Sequence, residues 1–229
     1  IVHRPNIKNT DLYETINHQL PLHIASMLAK GPATHFIQIS SISVYGYATE
    51  ISYSTTPSPN TIYGMTKLAA DNDLINTFTN KIKMSIIRPP MMYGIGKAPG
   101  NMMKLIKLIN KVPILPLANI NNMRHFLNIN NFIQYLDQII INQITGIVLI
   151  ADKEPISTTS LVKIIATKLN KKIYLFTVNS HIVKTISPNL FYHLFTNSII
   201  NTPENTKLFT PINEYSIEQG IDEMIRTIK

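Results

Sequence analysis

Short, almost wholly apolar runs alternate with longer helical patterns in the first half of this 229-residue chain. Residues 36–40 and residues 83–88 are predicted to be strands, and a helix is predicted from Tyr63 to about Asn80 between them. Near-continuous apolar strands that are joined through helices are typical of a parallel sheet with covered faces. The pattern therefore predicts an α/β fold.

The remaining periodic segments are predicted around this unit. Helices are expected at residues 11–29, 101–110, 157–169, 180–195 and 216–228, and strands or extended segments at residues 113–117, 123–129, 146–151 and 172–178. The pattern changes after Gly100, so the second half is expected to be organised differently from the first.

Composition narrows the set of partners. The chain has no cysteine and no clustered ligand motif, so disulfides and thiolate sites are excluded and no metal is expected. No apolar run reaches the roughly 18 residues of a membrane span, and no signal-peptide pattern is visible, so we expect no membrane partner and a cytoplasmic location. The net charge of +8 comes mainly from scattered lysines. We expect no nucleic-acid binding, because arginine, the better bidentate phosphate ligand, is scarce.

Residues 63–67 (Y-G-M-T-K) place a tyrosine and a lysine four positions apart. On a helix these positions share a face, and a nearby ammonium favours a phenolate whose free pKa is about 10. Ser41 follows a predicted strand, where functional groups of open α/β sheets gather. Together Ser41, Tyr63 and Lys67 can remove a proton from a C–OH as a hydride leaves the same carbon. The alternatives are an exposed helix lysine and a structural serine at the strand end.

Four short motifs occur in order along the chain. They are S-S-x-x-V-Y-G at residues 40–46, Y-G-x-x-K at residues 63–67, R-P-x-x-x-Y-G at residues 88–94 and R-x-F-x-x-x-x-N at residues 124–131. In this order and spacing the chain resembles the extended short-chain dehydrogenases/reductases, and specifically the nucleotide-sugar epimerase group typified by UDP-glucose 4-epimerase. The resemblance covers nearly the whole chain.

The resemblance implies a doubly wound, Rossmann-like parallel sheet with a smaller α/β substrate lobe. Residues 1–100 would be the C-terminal part of a dinucleotide-binding domain, and residues 101–229 would be mainly the substrate lobe, interleaved with the sheet. It also implies a homodimer in which the helix that ends near Ala29 pairs with the helix that carries Tyr63.

The resemblance also assigns roles to individual residues. Ser41, Tyr63 and Lys67 would be catalytic. The cofactor, NAD or NADP, would contact Asn17, Ser40, Tyr63, Lys67 and Pro90, and the substrate, a nucleotide sugar such as a UDP-hexose, would contact Ser43, Asn101 and Arg124. A guanidinium at Arg124 suits two phosphate oxygens, although a surface ion pair is the alternative there. For Asn101 and Asn17 the alternatives are a helix cap and an ordinary polar position.

The reaction implied is hydride transfer at the sugar C4. Ile42 and Ser43 stand where the dehydratases of the group carry an Asp-Glu pair, and Ile42 cannot transfer a proton, so a dehydratase is disfavoured. A 4-epimerase is the expected activity. A 4-keto reductase and a catalytically inactive remnant remain open.

The sequence departs from the group in one respect. The group begins with a strand and a G-x-x-G-x-x-G turn that binds the dinucleotide pyrophosphate at a helix N-terminus. No such turn occurs in the 229 residues, and residues 1–3 (I-V-H) resemble the fourth strand of the group. We therefore expect a chain that lacks the N-terminal part of the enzyme.

Overall fold

The structure is a computed structural model, and it describes residues 10–32, 35–94, 100–201 and 213–227. The strand predicted at residues 1–3 lies outside these ranges. Within the described ranges, no helix is long and apolar enough to cross a bilayer.

The chain divides into two compact units, and each unit is assembled from three separate stretches of sequence. The first consists of Ile1–Pro90, Gln134–Ile150 and Asn201–Thr210, and the second of Met91–Ile133, Ala151–Ile200 and Pro211–Lys229.

The helices and strands follow one another along the chain. The helices are α1 (Thr10–Tyr13), a π-helical segment (Glu14–Gln19), α2 (Leu20–Leu28), α3 (Ile62–Phe78), α4 (Asn101–Lys111), α5 (Ile129–Ile141), α6 (Thr158–Lys168), α7 (Ser180–Ile186), α8 (Pro188–Phe195) and α9 (Ile217–Arg226). The strands are β1 (His35–Ile39), β2 (Glu50–Ile51), β3 (Lys83–Ile87), β4 (Met91–Tyr93), β5 (Ile114–Leu115), β6 (Phe126–Asn128), β7 (Gly146–Val148), β8 (Tyr174–Leu175) and β9 (Ile199–Ile200).

A three-stranded parallel sheet forms the centre of the first unit. Its strand order is β1-β3-β7, with His35 opposite Lys83 and Ser85 opposite Gly146. Helices α2 and α3 cover it through a buried cluster that includes Ala25, Leu74 and Ile86. The predicted α/β fold with parallel strands is confirmed, and the helix between the two apolar strands is α3.

The second unit has its own hydrophobic core. Two short parallel pairs, β4 with β6 and β5 with β8, lie in it. Buried side chains from α4, α6 and α9 pack together in this core, among them Ile106, Ile165 and Ile221. Helix α9 begins with the predicted cap, because Ser216 and Gln219 bond to each other's backbone N–H groups.

Three segments differ from the sequence-based prediction. Residues 11–29 are helical throughout, but the middle turns, Glu14–Gln19, are π-helical. Residues 180–195 form two helices, because Pro188 cannot continue the first one and instead occupies the first turn of α8. Strand β6 is shorter than predicted, and helix α5, which was not predicted from the sequence, begins directly after it.

Candidate active site

The C-terminal end of β1 places two serines side by side. Ser40 extends the strand ladder, since its N–H donates to the carbonyl of Ile87 at 2.7 Å. Ser41 then caps a 3-10 turn, Ile42–Tyr45, by accepting from the N–H of Ser43 at 3.1 Å. The two hydroxyls therefore follow directly from the strand end, where the sequence pattern predicted functional groups.

Helix α3 begins in very close contact with this turn. Thr61 caps the helix by accepting from the N–H of Gly64 at 3.1 Å. A Cβ built on Gly64 would lie 2.5 Å from the carbonyl oxygen of Ser43, so only glycine fits at this point. The glycine of the Y-G-x-x-K motif thus allows the first turn of α3 to bring Tyr63 against the serine turn.

Tyr63 is hydrogen-bonded to Ser41 through their side chains. Burial raises the pKa of Tyr63, the bond to Ser41 lowers it, and Asp71 and Tyr13 raise it further, so that the net shift is upward. From the sequence, Lys67 was predicted to lower this pKa. In the structure the net shift is upward instead, because desolvation of the phenol is the largest effect.

Lys67 is almost completely buried, with 1% of its surface exposed. Its Nζ donates to the carbonyl oxygen of Ile39 at 2.7 Å, and burial lowers its pKa to about 8, against the opposing effect of Asp71. An ammonium has three donors, and among the residues that the structure describes only this carbonyl accepts from Lys67, so two donors remain for other acceptors. Lys67 is therefore not the solvated helix lysine of the alternative interpretation.

The structure thus brings together Ser41, Tyr63 and Lys67, as the sequence predicted, on one turn and one helix of the first unit. We call these three residues the trio. Ser43 is close to them, because it accepts from the Ser41 hydroxyl at 3.0 Å. Ser40 contacts a different group, since its hydroxyl donates to Asp71 at 2.8 Å.

Two further residues proposed for the cofactor lie in the first unit. Asn17 is buried in the π-helical segment, and this segment packs against α3. Pro90 is buried just after β3, next to Pro89, whose carbonyl accepts from the N–H of Ile42 at 3.0 Å. Their contacts with a cofactor stay predictions.

Asn101 and Arg124 belong to the second unit. Asn101 is exposed and is the first residue of α4, for which Gly100 is the cap. Nη1 of Arg124 donates to the carbonyl oxygens of Tyr192 and Thr196, both at 3.1 Å, at the end of α8. The guanidinium therefore satisfies carbonyls that a helix C-terminus leaves unpaired. Its proposed role at a substrate diphosphate stays a prediction.

Sequence reasoning missed two charged groups beside the trio. Asp71 and Arg88 are buried next to Lys67 and form an ion pair, with Nε of Arg88 3.0 Å from Oδ2 of Asp71. A signal was present, because Asp71 follows Lys67 by four residues and so shares its face of α3. Arg88 opens the R-P-x-x-x-Y-G motif, but nothing in the sequence alone showed which group it would pair with.

Comparison with known proteins decides the family. The model of the NAD-dependent epimerase/dehydratase family matches residues 2–150. The chain belongs to this family. The match includes β1, α3 and β3, and thus every residue of the trio.

Individual relatives give the same result. The chain is 29% identical over 168 residues to UDP-glucose 4-epimerase of Vibrio cholerae, covering 70% of this chain and 51% of that protein. It is 25% identical over 178 residues to N-acetyl-alpha-D-glucosaminyl-diphospho-ditrans,octacis-undecaprenol 4-epimerase of Escherichia coli O157:H7, covering 75% and 53%. This family member therefore spans about half the length of the curated relatives it matches.

A solved structure supports the fold. UDP-glucuronic acid 4-epimerase from Bacillus cereus, solved with NAD, matches with a TM-score of 0.79 at 20% identity, over 97% of this chain and 68% of that one. The family and the Rossmann-like class expected from the motifs are both confirmed.

The described residues fit one end of the family's cofactor. The buried ammonium of Lys67 has two donors left, and the Ser41–Tyr63 pair lies at the same strand end, so this corner suits ribose hydroxyls and a carbon that bears an alcohol. The glycine-rich turn that would hold a pyrophosphate does not occur in the sequence. Across the described ranges, no group of three or more His, Asp or Glu side chains is arranged to hold a metal ion.

Proposed function

We propose that the protein that contains this chain is an NAD(P)-dependent nucleotide-sugar 4-epimerase. The observation that carries the proposal is the hydrogen-bonded Ser41–Tyr63 pair with the buried Lys67 one helical turn away. The similarity to two curated 4-epimerases supports the position at which the sugar reacts. We propose a UDP-hexose as the substrate, with Ser43, Asn101 and Arg124 as its contacts.

The chain's own residues supply the proton chemistry. Ser41 orients the C4 hydroxyl of the sugar toward Tyr63, which takes its proton and later returns it. Lys67 holds a positive charge one turn along the helix and stabilises the phenolate while it exists. The bound nicotinamide supplies the acceptor for the C4 hydride. Because Ile42 cannot act as an acid or base, these residues do not provide for the elimination of water.

A 4-keto reductase is the second candidate, and one observation favours it. The net upward shift of the Tyr63 pKa favours the neutral phenol, which is the form that donates a proton when a 4-keto sugar is reduced. The same three residues serve both reactions, which differ in whether the hydride is returned to the sugar or delivered once.

The complete gene product that contains this chain, incubated with a panel of UDP-hexoses and NAD+, tests the proposal. Proton NMR of the sugar resolves the C4 epimers, and we expect them to interconvert with no net change in cofactor absorbance. Stoichiometric NADPH oxidation with 4-keto sugars would instead establish the reductase. If neither reaction occurs, the proposal is wrong.

We also propose that the chain forms a homodimer through α2 and α3. Leu20, Ile24 and Met27 are 45%, 41% and 62% exposed and recur at helical spacing along one side of α2, and Ile62 and Met65 are exposed on α3. Exposed apolar side chains on two helices that pack against each other support an association surface.

A further inference from the structure

Three charged side chains are buried together behind the trio. Lys67, Asp71 and Arg88 are 1%, 0% and 2% exposed, and we call them the buried charge cluster. Charged side chains are almost never fully buried unless they are paired, because removing them from water is costly. We therefore expect specific hydrogen bonds and ion pairs to hold these three charged groups in place.

Asp71 is fixed by two donors on one oxygen. Its Oδ2 accepts from the Ser40 hydroxyl at 2.8 Å and from Nε of Arg88 at 3.0 Å. Arg88 is fixed in turn, since its Nη1 donates to the hydroxyl of Tyr45 at 2.9 Å and its guanidinium lies 5.2 Å from the centroid of that ring. The Asp71 carboxylate therefore cannot adopt another rotamer without breaking both hydrogen bonds.

Lys67 and Asp71 are held by consecutive residues of one strand end. The carbonyl of Ile39 accepts from Lys67, and the hydroxyl of Ser40 donates to Asp71. The two side chains are also four residues apart on α3, so they share a helix face. The strand end and the helix together fix the cation and the anion as neighbours.

One atom of the cluster has no hydrogen-bond partner. Oδ1 of Asp71 is buried and accepts no hydrogen bond from the residues that the structure describes. An unsatisfied buried carboxylate oxygen costs free energy. The negative charge of Asp71 offsets this cost, because two buried cations, Arg88 and Lys67, interact with it.

We propose that Asp71, held by Ser40 and Arg88, is a positioning residue that keeps the Lys67 ammonium charged and in place next to Tyr63. Its importance for turnover rests on the proposed function, but the coupling between the two side chains does not.

The electrostatics agree with this geometry. Burial lowers the pKa of Lys67 to about 8, and Asp71 is the group that opposes this shift. Burial raises the pKa of Asp71, while Arg88, Ser40 and Lys67 lower it. With Asp71 ionised, two cations face one anion, so the cluster carries one net positive charge that a phenolate at Tyr63 would neutralise. Asp71 also raises the pKa of Tyr63. Its own charge therefore disfavours the phenolate that the Lys67 ammonium would stabilise.

The test is a direct titration of Lys67. The full chain is prepared with 13C-labelled lysine side chains, the Lys67 signal is assigned with Lys67→Arg, and its chemical shift is followed with pH. In Asp71→Asn we expect the midpoint of Lys67 to fall by about one pH unit, because the substitution removes the negative charge that opposes the effect of burial on the Lys67 pKa. An unchanged midpoint in the folded variant would overturn the proposal.

Asp73→Asn is the matched control. Asp73 lies on the same helix, two residues further on, and its carboxylate binds Nε2 of His18 at 2.7 Å instead. The same substitution there should leave the Lys67 midpoint unchanged. An equal shift in both variants would mean that any charge on α3 has this effect, and would contradict a specific role for Asp71.

A reciprocal variant covers the case in which Asp71→Asn does not fold. Coupling between two titrating groups acts equally in both directions, so Lys67→Met should raise the midpoint of the Asp71 carboxyl by the same amount. No change there would also overturn the proposal. In the complete gene product, the alkaline limb of kcat/KM should move to lower pH in Asp71→Asn. Absence of all turnover in the wild-type gene product would contradict the proposed function and leave the coupling measurement valid.

Discussion

Tyr63 is subject to opposing influences on its proton. Burial and the carboxylate of Asp71 favour the neutral phenol, whereas Ser41 favours the phenolate. The net shift of the pKa is upward, so the neutral phenol is the resting form of Tyr63. A phenolate at this position would need a nearby cation to stabilise it while it exists.

The first prediction concerns the phenol itself. In the complete gene product, Tyr63→Phe should reduce turnover of the nucleotide sugar by a factor of about 100 to 10,000, because proton transfer contributes that much. Nucleotide-sugar binding, measured by calorimetry, should remain nearly intact. The exposed Tyr174 provides a control, and Tyr174→Phe should retain full activity. A retained rate in Tyr63→Phe would remove this residue from the mechanism.

The second prediction follows from the buried ammonium. The pKa of Lys67 is about 8 in the folded chain and 10.5 in the reference state, so between these values the unfolded chain binds more protons. Wild-type stability should therefore rise with pH across this window, by up to about 3 kcal/mol, relative to Lys67→Met. Urea denaturation at pH values from 7 to about 10.5 measures this difference.

An exposed lysine supplies the comparison for that measurement. Lys104 lies on the surface of α4, and Lys104→Met should show the same pH dependence of unfolding as wild type. If the Lys67→Met curve also runs parallel to the wild-type curve, Lys67 does not titrate in the folded chain as described.

Sequence spacing predicted the trio because each member belongs to a short local motif. It did not predict the environment of those residues. The upward shift of the Tyr63 pKa depends on how much water the fold removes, and the bonds of Arg124 to Tyr192 and Thr196 depend on where α8 ends. Such quantities arise from tertiary packing, which spacing along the chain does not encode.

At the scale of elements, the contact between α3 and the serine turn determines the geometry of the site. Gly64 allows the two backbones to approach, and Gly46 completes the turn with a φ of 59°, a conformation that favours glycine. A Cβ on Gly46 would also meet the carbonyl oxygen of Ser58 at 2.1 Å. Steric constraints alone therefore explain why both motif positions are glycine, independent of any ligand.

The third prediction tests this contact. Gly64→Ala should destabilise the chain by about 1 to 3 kcal/mol, since the new Cβ must displace backbone atoms of Ser43. The displacement should also weaken the Ser41–Tyr63 bond, which is visible as a changed Tyr63 signal in NMR. Gly31→Ala is the control, because its nearest heavy-atom contact would be an ordinary 3.9 Å. Equal stability of both variants would contradict the close approach.

Elements with strong local signals were predictable, and those without were not. The strands β1 and β3 are apolar runs that end at polar residues, and α3 follows a clear loop. Helix α5 was missed, although Ile129, Phe132, Leu136 and Ile139 recur with helical spacing, because the preceding apolar residues suggested one longer strand. The π-helical turns at Glu14–Gln19, which pack against α3, were not predicted, because hydrophobic spacing alone does not distinguish them from α-helical turns.

At the scale of the whole molecule, the exposed apolar face of α2 and α3 leads to the fourth prediction. The chain should form dimers, together with larger species, in sedimentation velocity runs. Ile24→Lys combined with Met27→Lys should shift the population toward monomer, because it places charges in that face. Ile186→Lys, at an exposed position on α7, should leave it unchanged. A clean, concentration-independent wild-type monomer would contradict the proposed dimer.

The fifth prediction concerns dinucleotide binding by the 229-residue chain. Calorimetric titration with NAD+ should show no micromolar binding, because the sequence has no glycine-rich turn to supply backbone donors and a helix dipole to the pyrophosphate. In the proposed function, Lys67 and Tyr63 would contact only the nicotinamide end of the cofactor. Micromolar affinity would show that other residues of the chain hold the phosphates.

The order of the strands has a consequence for synthesis. The side chains of the trio and of the buried charge cluster all lie between Ser40 and Arg88, in one continuous stretch of sequence. The third strand of the sheet, β7, is formed much later in the chain, by Gly146–Val148. At a ribosomal rate of about 5–20 residues per second, β3 waits roughly 3–12 s for this neighbour. The nascent chain can thus assemble this part of the candidate active site early, but for those seconds it presents an open strand edge to any other unfinished chain nearby.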